Sequence, residues 1–317
     1  MQRSAVIIVT WNSSPFIDQV LIALERQTIK PCKTLIIDNN SSDAAAVKNI
    51  VARYSGCEFV ALDKNVGFAA ANNIGIERCD DVEFVALLNP DAFPEPEWLG
   101  ALLKSAMQHP DAAAFASRLL NYRDPSTLDG AGDLLTITGR PWRRGHGTCA
   151  RNAFTKDEVV FSPCAAAALY RLDAIRMIGG FDESFFCYVE DIDLAFRLLL
   201  LGHTTRYVST AVALHVGSAT TGRHSDFSVY YGQRNLVFNF IKNMPPVLFW
   251  CLLLPHIVLN ILFVIAAMSA GRGNTALRAK LDAIKAIPQL WAQRRQIQKN
   301  RITSSLAIFK ALAKRFF

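Results

Sequence analysis

The chain has 317 residues, 51% hydrophobic and 19% charged, so a sizeable core is affordable and global disorder is excluded. Its seven cysteines are scattered, odd in number and without a CxxC pair, which argues against a disulfide framework or a zinc site and fits a reducing compartment. The net charge of +7 is uneven: residues 271–317 carry 11 Lys or Arg against one acid, Asp282, leaving 23 basic and 26 acidic residues in the body.

The opening MQRSAVIIVTWNSS is apolar over too few residues for a signal peptide and reads as a first strand at 5–10. A helix follows at 16–27, with Ile17, Val20, Leu21 and Leu24 on one face. The pattern continues with a strand ending at Asp38, a helix at 44–54, a strand at 58–62, a helix at 68–78 and a strand at 82–88 that stops at NPDAFPEPEW. Such alternation predicts a mostly parallel sheet with helices on both faces, and ligands beyond the carboxyl ends of its strands. Each of those ends carries polar residues: Thr10 and Asn12, Asp38 to Asn40, Asp63 with Asn65, and Asn89 with Asp91.

Residues 118–157 are polar, rich in Gly, Arg and Pro and weakly periodic, and are expected to form an irregular insert or lid. VVFSPCAAAALYR reads as one strand of closely packed small residues, and 172–178 as a short helix stopped by Gly179-Gly180. FFCYVEDIDLAFR then crowds Glu190, Asp191 and Asp193 against apolar neighbours at the start of a helix reaching Leu201. Acids suit a helix's first turn, and Asp193 with Arg197 has ion-pair spacing. A strand near 205–208 precedes ALHVGS.

Residues 247–270 form 24 positions without formal charge, long enough to cross a bilayer. A single crossing would put the basic tail on the far side of the membrane from the sheet, against the positive-inside rule. Two short helices kinked at Pro255, or one helix in the membrane plane, avoid that conflict. Residues 276–295 look like an interfacial amphipathic helix.

The motifs VTWNS, DNNSSD, NVGFAAANNIGI, LLNPDA, GGFDESFFCYVEDIDLAFR and LHVGS, in that order, resemble the inverting family 2 glycosyltransferases of GT-A fold, closest to bacterial rhamnosyltransferases of cell-surface polysaccharide assembly. The resemblance spans roughly residues 5–243. It implies a glycosyltransferase domain at 1–243, with a nucleotide-sugar half at 1–117 and an acceptor half at 118–243. A membrane-associating helical region with a basic tail is expected at 244–317.

The resemblance also implies roles. Asp38, Thr10, Asn12 and Asn40 would line the nucleotide pocket, and Asn65, Gly67, Asn72 and Asn89 would approach the donor. Asp91 and His215 would hold a divalent metal, Mn2+ or Mg2+, with Asn89 standing where relatives carry a first acid. Asp191 would be the general base, tuned or assisted by Glu190, while Asp193 pairs with Arg197. Arg223 and Arg234 are candidate diphosphate contacts. The implied partners are a nucleotide sugar (best guess dTDP-L-rhamnose), a lipid-linked glycan and a membrane surface at the cytoplasmic face of the inner membrane. Homo-oligomers fit, and nucleic acid does not. A polyprenyl-phosphate sugar synthase, a nucleotidyltransferase and a catalytically silent binding protein are the rival readings. The catalytic reading requires Asp91 and Asp191 to face one crevice.

Overall fold

The computed structural model describes residues 3–217 and 225–314. Its first half follows the alternation in the sequence. Strands β1 (Ser4–Thr10), β2 (Lys33–Asp38), β3 (Cys57–Ala61) and β4 (Phe84–Leu88) are parallel, in the order β3-β2-β1-β4. Helices α1 (Ser14–Glu25), α2 (Ala44–Val51) and α3 (Gly67–Glu77) cross between them. β1 and β4 are covered on both faces, which is why they read as continuous apolar runs. α1 buries the stripe of Ile17, Val20, Leu21 and Leu24. α3 lies so close to β1 that a Cβ at Gly75 would come within 2.7 Å of Ile7, so glycine is required there despite its cost in a helix.

Beyond β4 the sheet becomes mixed. β5 (Ala92–Pro94), α4 (Trp98–Gln108) and β6 (Ala112–Asn121) lead into the short strands β7 (Leu128–Ala131), β8 (Asp133–Leu135) and β9 (Pro141–Arg143). β10 (Glu158–Val160), β11 (Ala167–Arg171), α5 (Leu172–Met177), α6 (Glu190–Leu200) and β12 (Thr204–His215) complete this half. β11 enters antiparallel between β4 and β6, and β12 runs parallel to β6.

Three expectations are corrected here. Residues 118–157 are not wholly irregular: they begin inside β6 and include β7 and the β8–β9 hairpin, strands of three or four residues that are too short to show a period. VVFSPCAAAALYR divides at Ser162-Pro163 into an edge strand and a central one. The strand near 205–208 runs on to His215, past a register shift between Val208 and Val212.

The chain ends in helices α7 (Asp226–Asn243), α8 (Pro246–Ser269), α9 (Gly273–Lys285), α10 (Ile287–Lys299) and α11 (Ser305–Ala311). α8 is one helix, not a hairpin kinked at Pro255. Proline there removes one N–H, and the carbonyl it would have bonded belongs to Cys251 on the exposed side of the helix. The chain reverses after α8 at Gly271, whose φ is +74°. The amphipathic stretch at 276–295 is two helices, because Pro288 sits in the first turn of α10.

Candidate active site

Asp91 lies in the turn between β4 and β5, which is fixed at one end by the Asn89 N–H donating to the Ala166 carbonyl at 2.8 Å. β5 pairs with β12 so that Ala92 stands opposite His215. That register brings His215 Nε2 to 3.5 Å from Asp91 Oδ1. On its other side His215 Nδ1 is 2.8 Å from Asp129 Oδ2. Burial would lower the His215 pKa, but its hydrogen bonds to Asp129 and Asp91 outweigh burial and raise it to about 9. Burial would likewise raise Asp129, yet His215 and Arg143 hold it at about 2. Once its Nε2 proton is displaced, an imidazole oriented by a carboxylate at Nδ1 and set beside a second carboxylate would suit a divalent cation.

Glu190 and Asp191 open α6. The loop before them is strained: Phe186, Tyr188 and Val189 all have positive φ, at 63°, 69° and 70°. Helix α7 holds this loop. Asn235 Nδ2 donates to the carbonyls of Phe185, Cys187 and Tyr188 at 2.8–2.9 Å. Arg234 Nη2 donates to those of Ser184 and Phe185. Arg234 is therefore committed to this loop and not to a diphosphate; Arg223 lies outside the described residues. The rings of Phe186 and Tyr231 stack at 4.9 Å, and Phe227 closes the cluster with Tyr188.

The Asp191 carboxylate accepts from the N–H of Ile192 at 2.8 Å and of Ala165 at 3.3 Å. Burial raises its pKa against the pull of Arg143 and these N–H groups. Glu190 is buried, its Oε2 has no hydrogen-bond partner among the described residues, and burial followed by the neighbouring Asp191 drives its pKa well above the ordinary range. Asp193 points the other way, into an ion-pair cluster with Arg197 and Lys242, both at 2.8 Å.

Arg143 was not legible as a site residue, yet it links the two sides. Its Nε donates to Asp133, Nη1 to Asp129 and Nη2 to Cys164 Sγ, at 3.0, 3.1 and 2.8 Å. Ligand atoms of Asp133, Cys164 and Asp191 lie within 4.8 Å of one another, but the guanidinium already supplies positive charge to two of the three. Burial pushes Asp133 up to about 6, against Arg143. The available signal was DGAGD, residues 129–133: two acids on one short segment, with Gly130 between them at a point where a Cβ would strike Arg143 Cδ at 2.3 Å.

The expected donor residues divide into two groups. Asn65, Gly67 and Asn89 line the main cleft, joined by Asn39, one of the polar residues at the end of β2. Asn39 donates to Asn65 Oδ1 at 3.0 Å and accepts from the Val66 N–H at 2.8 Å, pinning the loop into α3. Gly67, with φ +87°, passes so close to Phe186 that a Cβ would lie 2.6 Å from its ring. Thr10, Asn12, Asp38 and Asn40 sit at the neighbouring ends of β1 and β2. Thr10 Oγ1 donates to Asp38 at 3.1 Å, Asp38 accepts from the Ser41 N–H, and Asn12 accepts from the N–H and hydroxyl of Ser42. Asn40 is exposed, with φ 59°. Asn72 is buried in α3, its side chain donating back to the Phe68 carbonyl, away from the cleft.

Asp91, His215, Glu190 and Asp191 line one cleft of about 870 Å³, beyond the carboxyl ends of the parallel strands. That volume is within the range of small-molecule sites. Among known proteins, residues 5–179 match the family described as glycosyl transferase family 2. The N-acetylglucosaminyl-diphospho-decaprenol L-rhamnosyltransferase of Mycobacterium tuberculosis, in strains CDC 1551 and H37Rv, is 29% identical over 239 residues, 69% of this chain and 77% of that protein. Two solved structures share the fold. GalNAc-T7 with UDP, GalNAc and Mn2+ gives a TM-score of 0.60 at 13% identity, over 75% of this chain and 48% of that one. The mannosyltransferase PcManGT of Pyrobaculum calidifontis, with GDP-Man and Mn2+, gives 0.58 at 18% identity, over 98% and 87%. With a family match over more than half its length and this sheet, the chain belongs to glycosyl transferase family 2 and is a glycosyltransferase of GT-A fold.

Proposed function

We propose that the enzyme inverts configuration as it moves a sugar, L-rhamnose from dTDP-L-rhamnose, to a hydroxyl of a lipid-linked or cell-surface glycan. The observation that carries this reading is the placing of Asp91 with His215 and of Asp191 on the walls of one cleft. The choice of sugar and of a polyprenyl-linked acceptor rests on the mycobacterial relative's activity.

In this reading residues 1–117 bind the donor. Thr10, Asn12, Asp38 and Asn40 form the nucleotide platform, while Asn65, Gly67 and Asn89 approach the sugar diphosphate. Asp91 and His215 hold a divalent metal, Mn2+ or Mg2+, which when bound offsets charge on the departing diphosphate. Both solved relatives contain Mn2+, and an imidazole ligand favours it over Mg2+. Residues 118–243 supply the acceptor side. Asp191 takes the proton of the attacking hydroxyl as the carbon–oxygen bond forms and the bond to the diphosphate breaks on the opposite face. Its raised pKa suits a base working near neutrality. Glu190 beside it, whose pKa burial drives upward, orients the acceptor or tunes Asp191. Residues 244–317 attach the enzyme to the cytoplasmic face of the inner membrane, where a lipid-linked acceptor resides.

Asp191→Asn tests the assignment. Nucleotide-sugar binding, read as a thermal shift with Mn2+ present, is retained, and transfer falls by roughly 10²–10⁴-fold. A variant that keeps most of its activity would instead fit a lipid-phosphate acceptor, which needs no strong base.

A further inference from the structure

Helix α8 has two unlike faces, and neither carries a charge. One face is anchored to the enzyme body along its length. Phe249 packs against Phe240 and Trp291, His256 Nδ1 lies 2.8 Å from the Thr138 carbonyl, and Asn260 accepts from Lys280 of α9. The other face is apolar and open to solvent. Trp250, Leu254, Ile261, Ile265 and Met268 are 52–69% exposed. At 1.5 Å per residue the strip from Trp250 to Met268 is about 27 Å long. α9 folds back beside α8 and adds a second open stripe, Leu277, Leu281 and Ile284, with Arg278 and Lys285 on its flank. Apolar faces of this extent are not left to water in a soluble monomer.

We propose that α8 and α9 together form a seat that lies in the plane of an anionic lipid surface, not a transmembrane span. Three observations select this occupant and this orientation. The anchored face of α8 ties it side-on to α7 and α9, so a crossing would drag Asp226, Lys280 and Asp282 into hydrocarbon, where such groups are costly. The exposed apolar residues of α8 and α9 run along one side of each helix while the other side packs on the protein, so lipid can take up that side without surrounding the helix. The chain from residue 271 onward holds 11 basic residues and one acid. Two copies meeting through this face would bring their basic flanks together, whereas an anionic surface complements them.

The inference rests on the proposed function only for its expectation of a membrane-borne acceptor, and its test is independent of catalysis. Full-length protein is floated with vesicles of phosphatidylcholine alone or with phosphatidylglycerol added. Binding is expected to the anionic vesicles, to weaken at high salt, and to fall at least tenfold in Leu254→Asp/Leu281→Asp. Both positions are exposed, so the folded state survives, as an unchanged thermal melt will show. Depth is read from quenching of Trp250 by lipids brominated at shallow or deep acyl positions, with Trp250→Phe as the blank. Shallow quenching supports the in-plane seat, and maximal quenching at the bilayer centre overturns it. Failure to bind anionic vesicles overturns it too, as does a lipid-free dimer that the double variant dissociates. Donor hydrolysis with Mn2+, followed in the same variants, reports the active site separately and is expected to be unchanged.

Discussion

The two walls of the cleft are built in opposite ways. The proposed donor wall is made where strands end: Asn39, Asn65 and Asn89 each follow a strand and are held largely by residues close in sequence or on an adjoining strand end. The base wall is held from far away. Asp191 depends on a loop with three left-handed residues, gripped by Asn235 some fifty positions later, and on Arg143 from the β8–β9 hairpin before it. Damage to the donor wall should therefore stay local, while damage to the supports of the base wall should travel.

After Asp191→Asn itself, the largest effect is expected at the leaving-group side. Asp91→Ala removes a carboxylate from the proposed metal pair, and kcat should fall by roughly 10²–10³-fold, the scale for losing one electrostatic stabiliser. Titrating Mn2+ against activity checks it: the variant should need far more metal, whereas Asn72→Ala, on a residue turned away from the cleft, should not.

Next is the remote support. Asn235→Ala removes the side-chain donor shared by the Phe185, Cys187 and Tyr188 carbonyls, of which Phe185 keeps Arg234, at roughly 1–3 kcal/mol for a weakened buried polar cluster. The melting temperature should drop, and kcat should fall by more than the apparent donor affinity does, because the loop it releases leads into Asp191, the proposed base. Equal losses in donor affinity and kcat would show that the walls are not independent.

Arg143→Gln sharpens the comparison through pH. Arg143 opposes the burial that raises Asp191, so its loss should raise the Asp191 pKa further. A base works only when deprotonated, so the acid limb of kcat/KM should move to higher pH. A profile that stays in place would mean Arg143 acts only on Asp129 and Asp133.

The smallest effects concern stability. Asp193 is wholly buried between Arg197 and Lys242, and these cations outweigh burial to hold its pKa at about 2, below its ordinary 3.8. Stability from that shift is present above the ordinary value and is lost as pH falls through 3.8 towards 2. It is worth roughly 2 kcal/mol, so Asp193→Asn should flatten the acid side of a melting-temperature profile. Glu190 has the opposite sign. Its folded pKa is raised, so stability falls as pH climbs from the ordinary glutamate range towards the folded value, and Glu190→Gln should raise the melting temperature at neutral pH.

Read along the chain, residues 1–90 disclosed their fold because each strand and helix there carries its own period and ends on its own turn chemistry. The ion pair Asp193–Arg197 was legible for the same reason, since four positions on a helix are always neighbours. Asp91, His215 and Asp191 could be named from motifs, but no local pattern says that they share a crevice. The antiparallel pairing of β5 with β12 and the insertion of β11 beside β4 decide that. Arg143 and Asn235 were missed because a guanidinium in a Gly-rich loop and an amide in a tyrosine-rich helix have no distinctive spacing; their meaning lies wholly in which carboxylates and carbonyls they reach. The charge-free stretch at 247–270 announced its length and apolarity. Only its lateral anchoring to α7 and α9 turned that length into a helix with one open face, because contact across a helix depends on its neighbours and not on its composition.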